Sequence, residues 1–427
     1  MESIPVRSLS LKVSVPNDIT TTEHQDQGSA WEPLRLPMFR FFWFASLASN
    51  LGTWIHEVGA GWLMATLQAD PEWVAAVRTA MALPIVLLAI PAGVVADRID
   101  KRRLLIATQM LLFGITALLT MLVATDHITA NGLLLLTFLI GLGMVVHVPT
   151  WQSTVPELVP RSQLARAVGL GSISFNLARA LGPALGGVLI ALLGVWSAFA
   201  INAASFAGVV FVLLFWKRDA TESSRGRSFL ASTWQGMRFV ARNQVLRHVM
   251  VGVLLFVMPG SALWSLLPLF AKQDLGWGPQ GFGILVAALG VGAVSGASVL
   301  PNIRRHLGGD GTIGIAMMVF SIGLFSMTWI PAGPFLLLAP LVMGLGWMAT
   351  LTTLNASAQV TLPQRLRARG MGCYLTMMAF SMTSGSQWWG HVAAWTSVAS
   401  AFRIAAIVMV GCAVIRLPFR VHAELGD

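Results

Sequence analysis

The stretch Pro84-Ile85-Val86-Leu87-Leu88-Ala89-Ile90-Pro91-Ala92-Gly93-Val94-Val95-Ala96-Asp97-Arg98-Ile99-Asp100-Lys101-Arg102-Arg103 decides how the rest of the chain is read. Up to Ala96 it carries no charge, and from Asp97 onward nearly every residue is charged. The uncharged part ends a run that begins near Glu72, and a second apolar run follows from Arg103 to Thr125. Each run is long enough to cross a bilayer, and the charged turn between them is only a few residues long, so the pair reads as a hairpin of membrane helices.

Composition extends that reading to the whole chain. Of 427 residues 56% are hydrophobic and 11% charged, against about 25% charged in soluble domains. Intrinsic disorder needs the opposite composition. Further apolar runs cover about Phe39–Leu67, Asn131–Ser153, Ala165–Leu193, Trp196–Trp216, Val245–Phe270, Gly281–Leu300, Thr312–Ile330, Pro334–Gln359, Arg369–Gly390 and Ser397–Phe419. The expected fold is all-α, with twelve transmembrane helices in two pseudosymmetric six-helix bundles.

An even number of crossings puts both termini on one side, and loop charge says which. With both termini cytoplasmic, the inside turns hold Arg98, Lys101, Arg102, Arg103, Arg161, Arg166, Arg304, Arg305, Arg365, Arg367 and Arg369, and the outside loops hold Lys272 alone. That satisfies the positive-inside rule and implies a bacterial inner membrane. It also accounts for the net charge of +10 without a nucleic-acid partner. Cys373 and Cys412 lie apart in apolar runs, so neither a metal site nor a disulfide framework is expected, and no cofactor is implied.

The expected division is a cytoplasmic tail over 1–38, a first bundle over 39–216, a linker over 217–244, a second bundle over 245–419 and a short cytoplasmic tail over 420–427. Within the linker, Leu230, Trp234, Met237 and Ala241 recur at helical spacing among Arg238 and Arg242, which predicts an amphipathic helix at the membrane surface. The halves repeat. A shift of 203 residues carries Leu158–Ala167 onto Thr361–Gly370, Gly93 onto Gly296, Gly169 onto Gly372, Gly182 onto Gly385 and Gly187 onto Gly390. Repeats of this kind build transporters with a site between the halves.

The turn from Gly93 to Arg103, with Asp97 four residues after the glycine and a basic cluster following, resembles the signature loop of the major facilitator superfamily. The resemblance covers all twelve spans. It implies a gating role for Gly93, Asp97, Arg98, Lys101 and Arg102, with the aspartate bracing the cytoplasmic end of the eleventh span. The weak second copy has Leu300 where the first has Asp97. The fifth span carries Gly182-Pro183-Ala184-Leu185-Gly186-Gly187, with Gly169 and Ala178 upstream, and resembles an antiporter motif of the superfamily. Plain tight packing is the competing reading. Leu51–Trp54, Gly61–Leu63, Pro84–Asp97, Pro156–Pro160 and Asn176–Gly187 together resemble the branch of the enterobactin exporter, the transmembrane secretion effectors, whose members export varied small molecules.

Ionisable groups inside a span are functional candidates because burying them costs at least ~2.5–3.5 kcal/mol. Glu57 is the acid set well inside a span. It reads either as a proton carrier or as a fixed ion pair with Arg78, Arg179 or Arg403. The candidate cavity residues are Asn50, Trp54, His147, Trp151, Asn176, Arg179, Trp264, Asn355 and Trp388. Arg179 is read as bracing or pairing before direct binding. Sixteen tryptophans and twenty methionines favour a bulky amphiphilic substrate over a sugar. Trp43, Trp73, Trp196, Trp216 and Trp329 are expected as interfacial anchors.

The spans hold no clustered nucleophile, base or metal ligands, so the chain reads as no enzyme, and it has no phosphate-cradling loop. The expected function is a proton-coupled exporter of a small amphiphilic molecule such as a siderophore or drug. An uptake symporter or facilitator on the same scaffold remains open. Its partners are a small-molecule substrate, protons and membrane lipid, with room for a periplasmic or outer-membrane export partner.

Overall fold

Small polar residues and prolines start the helices. Asp100, Thr129, Asn243 and Ser397 each accept from a backbone N–H of the first turn, and prolines stand at the starts of three more helices, where the missing N–H costs nothing. The computed structural model describes residues 29–216, 229–363 and 366–421, with side chains described except at 90–98, 229–234 and 368. These residues form α1 (Pro37–Leu67), α2 (Pro71–Arg98), α3 (Lys101–Ala124), α4 (Ala130–Leu158), α5 (Leu164–Leu193), α6 (Trp196–Phe215), α7 (Phe229–Arg242), α8 (Gln244–Leu269), α9 (Pro279–Ser326), α10 (Leu338–Thr361), α11 (Arg367–Trp395) and α12 (Val398–Ile415).

Nine of these helices are long and apolar enough to cross a membrane among the described residues. One of the nine, α9, is two helices joined at Gly308, whose φ of +66° breaks the helical path. Its limbs match the two runs expected at Gly281–Leu300 and Thr312–Ile330. α1 and α11 are 31 and 29 residues long but carry polar and charged groups along their length. Bulky apolar side chains such as Leu192, Phe335 and Trp395 stand exposed, as they do where lipid covers them.

Packing falls into two sets. α1 packs on α5 and α6, α2 on α4, and α3 on α4 and α6; α8 packs on α10, α11 and α12, and α9 on α10 and α12. The sets meet along α2 with α11 and α8, and along α5 with α9. The 203-residue shift is visible in the helix ends: it carries the start of α5 onto that of α11 and the end of α4 onto that of α10. It is visible in contacts too. A Cβ at Gly182 would lie 2.6 Å from Trp54 on α1, and one at Gly385 would lie 2.5 Å from the Met258 oxygen on α8. Gly187 abuts Pro279 at the start of α9, as Gly390 abuts Pro71 at the start of α2.

One expectation needs correction. Trp43 and Trp216 are not interfacial anchors: both are buried. Trp43 Nε1 donates to the Leu170 oxygen at 2.8 Å, and Trp216 packs edge-on against Phe42. Near the end of the first tail, Glu32 pairs with Arg166 and accepts from Gln163 at 3.0 Å. Residues 1–28, 217–228 and 422–427 lie outside the described residues. The linker helix is α7, with Gly236 against Arg369 of α11 and Val240 buried, while Met237 and Ala241 stand exposed. Leu230 and Trp234 have no described side chains.

Candidate functional site

A carboxylate inside a membrane helix needs a partner, and the helix pairing supplies one. Glu57, in the second half of α1, accepts from Arg78 Nη1 on α2 at 2.9 Å. Arg78 reaches across to the other set of helices, donating from Nε to the Trp264 oxygen on α8 at 3.4 Å, with its guanidinium 5.4 Å from the centroid of the Trp264 ring. The pair lines a cavity of about 30 Å³ together with His56, Thr137, Trp264 and Ser265. That is room for a water or two. His56 is buried against Phe199, and neither of its ring nitrogens has a partner among the described residues.

Rings continue from the pair. Trp264 lies 6.4 Å from Trp54 and 5.4 Å from Trp347 between centroids, and Trp54 packs on Phe175. The Arg179 guanidinium stands 6.0 Å over the Trp54 ring. The structure therefore brings Glu57, Trp54, Arg179 and Trp264 together, and adds Arg78 and Trp347. Arg78 was legible as a second charge within a span. Trp347 carried no signal beyond its ring.

The other candidates fall elsewhere. Asn50 donates to Ser174 at 3.2 Å between α1 and α5. Asn176 donates to the Ser172 oxygen of its own helix. His147 sits beside Trp151, with Gln109 Nε2 3.4 Å from both ring nitrogens, so α3 and α4 hold it. Asn355 accepts from Gln359. Trp388 does not join the central rings: it is half exposed, beside Leu254, Pro259 and Val408 on the outside of α11. Arg403 is also separate, over Trp329.

Among the described residues, the tight contacts between the two sets gather at one end. At the end where α2 and α9 begin, Gln387 donates to Thr79 at 2.9 Å, His391 meets Glu72 at 2.7 Å, and Lys272 and Gln273 donate to the Ala65 and Ala69 oxygens. A Cβ at Gly187 would stand 2.7 Å from the Pro279 oxygen, and one at Gly283 2.6 Å from the Pro183 oxygen. Towards the end with the charged turns, Gly169 and Gly372 meet nothing within 4 Å. The glycines of the α5 motif thus pack two ways, Gly182 and Gly186 on α1 and Gly187 on α9, with Ala178 buried.

At the charged turn, the surroundings of Gly93 and the side chains of Asp97 and Arg98 lie outside what is described. Lys101 donates to Glu157 and the Ser153 oxygen at the end of α4, and Arg102 donates to the Leu213 and Leu214 oxygens at the end of α6. Both ties stay within the first set of helices. Arg304 takes the place of Lys101 in the second repeat, donating to Thr353 of α10 at 3.1 Å.

Helices in this order, closed at one end around an intramembrane ion pair, define a transporter fold. The nucleoside transporter NupG, in an aspartate-to-alanine mutant, superposes with a TM-score of 0.73 over 91% of this chain and 99% of its own, at 14% identity. Residues 28–425 match the family described as transmembrane secretion effector, and the chain belongs to that family. It is 25% identical to the staphyloferrin A transporter of Staphylococcus aureus over 293 residues, 68% of this chain and 74% of that one. It is 24% identical to the multidrug efflux pump Tap of Mycolicibacterium fortuitum over 346 residues, 77% and 82% respectively. The protein is an integral membrane transporter of the MFS type and not an enzyme.

Proposed function

We propose that the chain is a proton-coupled exporter that works by alternating access, with twelve crossings in two pseudosymmetric bundles over 39–216 and 245–419. The observation that carries this is the Glu57–Arg78 pair, held between α1 and α2 and tied to the α8 backbone. A carboxylate that gains a proton lets go of its arginine, so the pair can couple protonation to the fit of one bundle on the other. The siderophore and multidrug relatives and the α5 motif favour export of a small amphiphilic molecule.

With the basic turns on the cytoplasmic side of an inner membrane, the tight end faces outward and this state is open to the cytoplasm. Substrate enters past the turns while Glu57 is paired. The bundles then rock about the seam, the outer end parts, and an outside proton reaches Glu57 as substrate leaves. The turn Gly93–Arg103 sets the balance by gripping the second bundle when the inner end shuts. Both termini lie in the cytoplasm, and an outer partner extends the path where a second membrane exists.

The test uses everted membrane vesicles with an inside-acid gradient and a panel from catecholate siderophores to lipophilic cations. A transported compound collapses the gradient in the wild type and not in Glu57→Gln, which keeps its fold. Uphill efflux at full rate in Glu57→Gln would remove the carrier role.

A further inference from the structure

α5 has two stripes of different character, one exposed along its length and one exposed as far as Phe175 and ending at the half-buried Arg179. Ile173, Leu177, Leu181, Val188 and Leu192 form one, wholly aliphatic and exposed, as a lipid-facing stripe is. Val168, Ser172, Phe175 and Arg179, at i, i+4, i+7 and i+11, form the other. This second stripe runs between the row that packs on α1 (Gly182, Gly186) and the row that packs on α9 (Pro183, Gly187). It therefore faces the seam and leads from the open end to Arg179 and Trp54.

The charges beside that stripe do not cancel. Arg78 is neutralised by Glu57 at 2.9 Å. Arg179 has no ion-pair partner among the described residues, its buried Nε has no acceptor, and its neighbour is the Trp54 ring. The Trp264 Nε1 next to that ring is buried without an acceptor as well. Glu57 is the acid whose charge reaches Arg179 as well, so one carboxylate stands against two guanidinium groups, and that excess positive charge with two buried donors that lack acceptors among the described residues suits an anion. A cationic ligand would need a free carboxylate here, and Glu57 is occupied by Arg78.

The repeat gives the equivalent positions of the second half a different lining. The 203-residue shift carries Val168, Ser172, Phe175 and Arg179 onto Met371, Leu375, Met378 and Met382 of α11. The first half thus offers a cation where the second offers a soft thioether. We propose that this seam binds an organic anion with a flat apolar body, its head on Arg179 and its body between Trp54 and the methionine row of α11. The proposal rests on the transporter reading and names its substrate class.

The test is equilibrium dialysis of the full chain in lipid nanodiscs without any pH gradient. The probes are radiolabelled 2-naphthoate and the equally sized cation 2-naphthylmethylammonium. The wild type should bind naphthoate about tenfold or more tighter than the ammonium, the scale of one charge-assisted hydrogen bond. Arg179→Gln should abolish that preference, and Arg179→Lys should keep most of it, with thermal unfolding checking that both fold. Equal or tighter binding of the ammonium by the wild type would overturn the proposal, whatever the variants do. So would failure of naphthoate to bind saturably, or an unchanged preference in a folded Arg179→Gln. Anion preference in dialysis without gradient collapse in vesicles would count against proton-driven export alone. Gradient collapse driven by cations, without anion preference, would sink the substrate class alone.

Discussion

Replacing Gly283 with alanine should push the transporter out of the state seen here. A Cβ at Gly283 would stand 2.6 Å from the Pro183 oxygen, 2.9 Å from the Gly187 Cα and 3.1 Å from the Gly187 nitrogen. All three are backbone atoms, so no side chain can turn aside. Ordinary contact begins near 3.4 Å, so α5 and α9 must part by about 0.8 Å, the difference between 3.4 and 2.6 Å. Overpacking of this kind costs about 1–3 kcal/mol, and it is charged only to the state in which this end is shut. At about 1.4 kcal/mol per factor of ten, the opposite state should gain roughly 5- to 150-fold in relative population. A cysteine at Thr383, whose hydroxyl has no partner, reports the change once Cys373 and Cys412 are replaced by serine. A membrane-impermeant maleimide, added outside right-side-out vesicles, should label it faster by that factor in Gly283→Ala. Gly314→Ala, on the second limb of α9, is the control, since a Cβ there meets nothing within 4 Å. Equal labelling rates in the two variants would refute the argument that this crossing holds its end of the seam shut.

Further outcomes follow from individual contacts. Arg78→Met strands Glu57 and should destabilise the detergent-purified protein by about 1–3 kcal/mol, less than a fully buried pair because both side chains keep some solvent; adding Glu57→Gln should restore part of it in the same thermal melt. Trp43→Phe removes the bond to the Leu170 oxygen and should cost about 1 kcal/mol. Trp329→Phe, on an exposed ring, should leave the melting curve in place. Asp97→Asn should slow cycling in vesicles while leaving equilibrium binding of a transported compound unchanged; unaltered turnover would argue against a gate at that turn.

Helix positions were readable because apolar run length and turn charge act locally. The expected start at Ala165 and the observed Leu164 differ by one residue, as do Arg369 and Arg367 by two. Faces were not readable. Trp388 and Trp389 are adjacent in an apolar helix, yet one is half exposed and the other buried, donating to the Met258 oxygen at 2.9 Å. In lipid both faces of a helix are apolar, so periodicity does not separate inside from outside. Trp43 and Trp216 misled for the same reason, since a span end can be covered by a neighbouring helix as well as by headgroups. The site was half legible. Glu57 and Arg179 stood out as charges in apolar runs, but the choice of Arg78 as the partner of Glu57 depends on how α1 crosses α2, and the role of Trp264 depends on a contact 186 residues away in the chain.

The closed end is stitched largely to main-chain oxygens. Arg78 uses Trp264, Lys272 uses Ala65 and Gln273 uses Ala69, in each case through the carbonyl. A carbonyl survives any substitution of its own side chain. The side chains at 264, 65 and 69 can therefore be exchanged without removing the acceptors that tie the two sets of helices together at this end, so the lining here is free to vary while the fastening stays.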